Sequence, residues 1–156
     1  METPETDSVD VARAVMAEAD SQGLRLNMTQ LQKLLYIVYG TSLVMLGRRP
    51  FDEHPQAWPF GPVFPRTRRK LFDDVKNWTP ESCPATVPGD VKDIVRKVVA
   101  HFGKWTGGQL VDWTHRIGSP WDVVSHRDGF KWADEIDDGI IREYFSEIVI
   151  RRKPHG

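Results

Sequence analysis

Residues 27–46 hold the feature that most limits what this chain can fold into. Leu31, Leu34, Leu35, Ile37, Val38, Tyr39, Leu43, Val44, Met45 and Leu46 leave almost no side of a helix polar. A helix that is apolar all round must be surrounded by other elements. It is no membrane span, because the unbroken apolar run, 34–39, falls far short of the roughly 20 residues that a bilayer requires. The segment therefore predicts the central helix of a bundle. Its few other positions include Lys33, Tyr36 and Gly40, spaced i, i+3 and i+7 along one stripe where another backbone can come close.

The flanking sequence supplies helices to cover it. Val11, Ala12, Val15, Met16 and Ala19 recur at helical spacing behind Asp7 and Ser8, either of which can cap the first turn, and Gly23 offers a left-handed stop. Val91, Ile94, Val95, Val98, Val99 and Phe102 form the cleanest stripe, with Lys92, Asp93, Arg96 and Lys97 on the opposite face. Thr106 and Gln109 have the spacing of a capping box for a helix ending near Gly118. Ser119-Pro120 places a cap residue before a proline at the first helical position. Ile140, Ile141, Tyr144, Phe145, Ile148 and Val149 mark a last helix from about Asp137. Pro50 and Pro55 break the chain after the central helix, so residues 48–60 read as a loop with at most a short strand pair. A helix should reopen at Gly61-Pro62-Val63, and Pro80, Pro84 and Pro88 keep residues 73–88 irregular, with Thr79-Pro80 able to cap one short turn. The expected fold is all-α: one compact domain over residues 1–156, its core at about 8–150, with six or seven helices.

Composition bounds the function. With 40% apolar residues in 156, the chain can bury a core without disulfides or metal, and its single cysteine, Cys83, has no partner for a bridge. Lys and Arg number 21 against 22 Asp and Glu, a net charge of −1, so no global field draws it to nucleic acid or an anionic membrane. The acidic, polar N-terminus is unlike a secretory signal. A cytoplasmic protein is expected.

No catalytic constellation is legible. His54, His101, His115 and His126 lack the spacing of metal ligands, and Asp52-Glu53-His54 reads as a solvated turn. There is no nucleophile elbow, Cys83 reads as an inert thiol, and Gly107-Gly108 lacks a phosphate-binding lysine. Neither an enzyme, a cofactor nor a metal is expected. His115 reads as a structural histidine bonding a neighbouring cap or carbonyl, with a partner contact as the alternative. Lys33 reads as a lysine snorkelling at a rim or paired with a carboxylate, again with a functional contact as the alternative. Basic clusters at Arg48-Arg49, residues 66–70 and residues 151–153 can form a local patch, but no recognition helix accompanies them and nucleic-acid binding is disfavoured. Trp58, Trp78, Trp105 and Trp132 fall in turns or loops, where aromatic anchors of interfaces are common.

Three blocks carry a family resemblance. Lys33-Leu34-Leu35-Tyr36 with Gly40, Pro50-Phe51 and Trp58-Pro59-Phe60-Gly61-Pro62-Val63 forms the first. Leu110, Trp113-Thr114-His115 and Gly118-Ser119-Pro120-Trp121 form the second, and Ile136, Asp138, Ile140-Ile141 and Tyr144-Phe145 the third. Together they resemble the Panacea domain of SocA-like antitoxins and phage-associated GepA-like proteins. The resemblance implies an all-helical domain that binds and neutralises a cognate toxin protein, as in a type II toxin–antitoxin system. It also implies an alternative, an adaptor that delivers the toxin to a AAA+ protease such as ClpXP. A nucleic-acid-binding regulator is the remaining alternative. The expected partner face is residues 47–70, with Trp58, Phe60, Gly61, Pro62 and Val63 as apolar contacts and Arg66, Arg68 and Arg69 as charges. Lys33, Tyr36, Thr114, His115, Ser119, Pro120 and Trp121 are family-motif residues with a structural or binding role.

Overall fold

The computed structural model describes residues 6–79 and 87–152, the last four as backbone only. Cys83, Pro80 and the basic side chains of residues 151–153 lie outside the described residues. Among the described residues seven α-helices and one β-hairpin follow in the order α1 Ser8–Ser21, α2 Met28–Met45, β1 Gln56–Trp58, β2 Gly61–Val63, α3 Pro65–Leu71, α4 Gly89–Phe102, α5 Gly107–Thr114, α6 Pro120–Ser125 and α7 Asp138–Arg152.

Helix ends follow their local chemistry. Asp7 caps α1 by accepting the Val9 N–H, and Gly23 leaves the helix with φ +75°. Asn27 and Gln30 form a reciprocal capping box at the start of α2, and Thr106 and Gln109 do the same for α5. Ser119 caps α6, and Pro120 occupies its first turn.

As the all-round apolar pattern requires, α2 is the hub. Every residue from 31 to 40 is buried, and α1, α4, α5, α7 and β2 all pack against this helix. The stripe of Tyr36 and Gly40 receives α7: the Phe145 ring stands edge-on to Tyr36 at 5.5 Å and lies where a Cβ on Gly40 would overlap it. What comes close there is an aromatic ring. Tyr39, Phe51 and Phe64 pack their rings within 5.7 Å of one another on the side of α2 that meets the hairpin.

The loop after α2 contains more order than its prolines suggest. β1 and β2 pair antiparallel with Ala57 opposite Pro62 and Trp58 opposite Gly61, leaving Pro59 and Phe60 at the tip. Gly61 has φ +110°, incompatible with a helix, so residues 61–63 form a strand and the helix begins only at Pro65. The free edge of β1 is covered by residues 133–136, through Ala57 N–H to the Asp134 carbonyl and Ala133 N–H to the Ala57 carbonyl, both 2.8 Å. Helix α5 ends at Thr114, before the expected Gly118, because His115 caps it and Gly118 (φ +85°) turns the chain into α6. Trp78, in irregular chain, is buried at 5% exposure and serves the core.

Candidate partner-binding site

Two neighbouring buried polar side chains of α2, Gln32 and Lys33, hold backbone beyond the hairpin tip. Gln32 accepts the Phe64 N–H at 2.7 Å and donates to the Phe64 carbonyl at 3.3 Å. Lys33, only 2% exposed, donates from Nζ to the Pro62 carbonyl at 3.0 Å. Among the described residues no carboxylate pairs with this ammonium, and burial pushes its pKa down from 10.5 to about 8. The lysine thus neither snorkels at a rim nor pairs with an acid.

Gly61 closes over the lysine. A Cβ there would stand 2.8 Å from Thr114 Oγ1 and 3.0 Å from Lys33 Cε, in a backbone conformation that already favours glycine. Lys33, Gly61 and Thr114 are far apart in the chain and meet here. Thr114 Oγ1 donates back to the Val111 carbonyl, and the Thr114 carbonyl accepts the Ser119 hydroxyl at 2.8 Å. Ser119 Oγ also accepts the Asp122 N–H, while Asp122 Oδ2 accepts the Gly118 N–H. These bonds fix the α5–α6 turn and set two rings face to face: His115 stacks on Trp121 with centroids 3.8 Å apart and planes 13° from parallel. Trp121 Nε1 then donates to the Trp58 carbonyl at 2.7 Å, tying the turn to the hairpin. Trp132 stacks on Trp121 at 6.2 Å, and Phe130 meets Trp132 edge-on at 5.0 Å.

The imidazole of His115 bonds no cap or carbonyl through Nε2, which is buried and unpartnered. Burial lowers its pKa, the Lys33 ammonium adds to this, and Asp112 opposes it. The ring is therefore neutral at pH 7, a flat partner for the Trp121 indole.

The structure sorts the expected site residues into groups. Lys33, Trp58, Gly61, Pro62, Thr114, His115, Ser119 and Trp121 form one cluster, with Pro120 buried at the start of α6. Tyr36 belongs to the α2–α7 contact, where its hydroxyl is buried without a partner and burial raises its pKa well above the phenol range. Gly61, Pro62 and Val63 are buried, so the hairpin presents Phe60, 73% exposed, and the half-buried Trp58 to solvent. Arg66 is drawn inward. Its Nη2 lies 2.5 Å from Asp52 and 3.0 Å from the Ser8 hydroxyl, and its N–H donates to Glu53. Arg68 places its guanidinium over Trp58 (5.8 Å) and Phe72 (5.5 Å), whereas Arg69 is simply exposed. The three residues of the Asp52-Glu53-His54 turn go to different partners: Asp52 takes Arg66, Glu53 takes Ser8 and Thr67, and His54 Nε2 receives Arg49. Among the described residues no group of three His, Cys, Asp or Glu is placed to hold a metal ion.

Sequence reasoning missed Ile117, 97% exposed in the turn between His115 and Ser119, and the cation Arg116 beside it. The available signal was a lone aliphatic residue in an otherwise polar turn. It also missed that residues 130–136 line β1 and bring Trp132 to the cluster, because that segment has no periodicity.

Comparison with known proteins covers the same stretch of chain. A family model described as Antitoxin SocA-like, Panacea domain, matches residues 31–122, which include every residue of the Lys33–Trp121 cluster. Antitoxin SocA of Caulobacter vibrioides is 28% identical over a 143-residue alignment covering 81% of this chain and 76% of that protein. No solved structure matches the chain. Among the described residues no helix is long and apolar enough to cross a membrane. The match over more than half the sequence makes the chain a member of the SocA-like Panacea antitoxin domain family.

Proposed function

We propose that this protein is the antitoxin of a type II toxin–antitoxin pair, acting in the cytoplasm by direct contact with a cognate protein toxin and without catalysis of its own. The observation that carries the reading is the meeting of two sequence blocks at one surface. Lys33, Trp58 and Gly61 of the first block and Thr114, His115 and Trp121 of the second lock together through the 3.0 Å lysine–carbonyl bond and the 2.7 Å indole–carbonyl bond. A rigid framework of this kind leaves Phe60 and Ile117 standing in water, which suits a preorganised protein interface.

The test is growth. Expression of the protein encoded by the adjacent reading frame should arrest cells, and co-expression of this chain should restore growth while the two co-purify. Rescue that persists in a host lacking ClpX supports direct masking. Rescue that vanishes there, with toxin levels rising, replaces masking by delivery to the protease. Failure of every neighbouring product to be neutralised or bound overturns the reading.

A further inference from the structure

Around the locked cluster the surface alternates exposed apolar side chains with cations that have no acidic partner. Phe60 is one residue from Gly61, and Ile117 is two residues from His115, so chain connectivity keeps both within about 8 Å of the cluster. Their exposures are 73% and 97%, the highest among the large hydrophobic residues described, and Trp132 follows at 53%. Arg68 lies between the Trp58 and Phe72 rings, and Arg116 lies over Trp113 at 5.6 Å. Among the described residues neither arginine forms an ion pair, in contrast to Arg13, Arg48, Arg49, Arg66 and Arg96, which all do.

The acids of the same region are differently disposed. Asp122 and Asp134 turn oxygens toward the backbone N–H groups of Gly118 and Lys131, and Asp112 on α5 is exposed. The arginines, by contrast, are held by aromatic faces, which orient a guanidinium without neutralising it. An oriented and unneutralised guanidinium is poised for a carboxylate, which it can grip through two parallel hydrogen bonds.

Resting on the antitoxin reading, we propose that the toxin presents an acidic segment to this face. Its carboxylates meet Arg68 and Arg116, and an apolar side chain of the same segment covers Phe60 and Ile117. A protein segment fits better than a nucleic acid, since an exposed Ile117 offers nothing to a phosphate chain and the protein's net charge is −1. Burying Phe60 and Ile117 supplies affinity, and the arginines supply register and discrimination.

The experiment measures binding of the purified adjacent-frame protein to the full chain at two salt concentrations. Ile117→Ser, Arg68→Glu and Arg116→Glu should each weaken binding at least tenfold. Lys97→Glu, on the wet face of α4, should bind within threefold of the parent. The parent's affinity should also fall with salt, and each arginine variant should show a weaker dependence than the parent. Circular dichroism confirms that each variant is folded. Arg68→Gln and Arg116→Gln, which remove charge without reversing it, should give intermediate losses. The proposal is overturned if all three face variants bind like the parent, if Lys97→Glu weakens binding equally, or if a single-stranded RNA oligomer competes for the face. If the parent chain itself holds no adjacent-frame protein, the antitoxin reading fails, and that result is distinct from failure of the face.

Discussion

Replacing Lys33 by Met isolates the energetic consequence of the buried ammonium. Lys33 is 2% exposed, and burial alone lowers its pKa from 10.5 to about 8. Each pKa unit corresponds to 1.36 kcal/mol, so holding this charge inside disfavours the folded state by about 3 kcal/mol at neutral pH. The sign follows from proton counting. Below pH 8 both folded and unfolded chains hold the proton, and the whole penalty is present. Between pH 8 and 10.5 the folded protein releases the proton while the unfolded chain retains it, so stability contributed by this site rises with pH. Above 10.5 the penalty is gone.

Methionine has the length of lysine and no charge. At pH 7 the variant regains about 3 kcal/mol but leaves the Pro62 carbonyl unpaired, a loss of about 1–3 kcal/mol. Lys33→Met should therefore be as stable as the parent at pH 7, or up to about 2 kcal/mol more stable. By pH 10.5 the order should reverse, with the variant about 1–3 kcal/mol less stable. Urea unfolding followed by tryptophan fluorescence at steps from pH 7 to 10.5 reads both limits. Taking the difference between the two proteins removes the groups that titrate in common, including the tyrosines. A difference that stays constant within about 1 kcal/mol across this range, or a variant more than about 3 kcal/mol weaker at pH 7, would refute the reasoning, because either means the ammonium is not an unpaired buried charge.

Two further substitutions probe packing and polar contacts away from this site. Gly40→Ala places a methyl where the Phe145 ring lies and should destabilise the protein by about 1–3 kcal/mol; adding Phe145→Leu should restore part of this, and simple additivity in urea midpoints would contradict the close packing. Glu53→Ala strips acceptors from Ser8, Thr67 and the Arg66 N–H, and should lower stability by at least about 2 kcal/mol. A shift in unfolding free energy below about 0.5 kcal/mol would mean that water replaces the carboxylate without loss.

Local chemistry was legible in the sequence wherever a single stretch decides the outcome. The caps at Asp7, Thr106 and Ser119, the glycine stop at Gly23 and the central placement of α2 all follow from neighbours within a few residues. Non-local geometry was not. Nothing in residues 61–65 announces that Thr114 and Lys33 pack where a Cβ on Gly61 would stand, because both come from other parts of the chain. In sequence Lys33 looks like a rim or paired lysine, because lysines on apolar helices usually are. Its actual acceptor, a carbonyl in the hairpin, becomes visible only when β2 crosses α2. The arginines of residues 66–70 looked alike in sequence, yet α3 turns Arg66 toward Asp52 and Asp7 and leaves Arg68 on the aromatic face.

Several departures from good local design gather in one place, and that clustering carries the argument for a site. A buried ammonium without an acid, an imidazole nitrogen without a partner and a glycine with no room for a methyl lie together beneath exposed Phe60 and Ile117. Elsewhere α1 and α2 carry side-chain caps, and Arg66 is paired with Asp7 and Asp52. Unfavourable local choices survive in a folded protein when something outside the folding balance maintains them. Folding alone gives lysine no advantage over methionine at position 33 near neutral pH, and Ile117, 97% exposed in the turn beside His115, adds nothing to the core. The proposed partner, covering Ile117 and Phe60, requires the α5–α6 turn and the hairpin at a fixed separation: the Trp121 indole ties the two together through the Trp58 carbonyl, and Lys33 holds the hairpin to α2 through the Pro62 carbonyl.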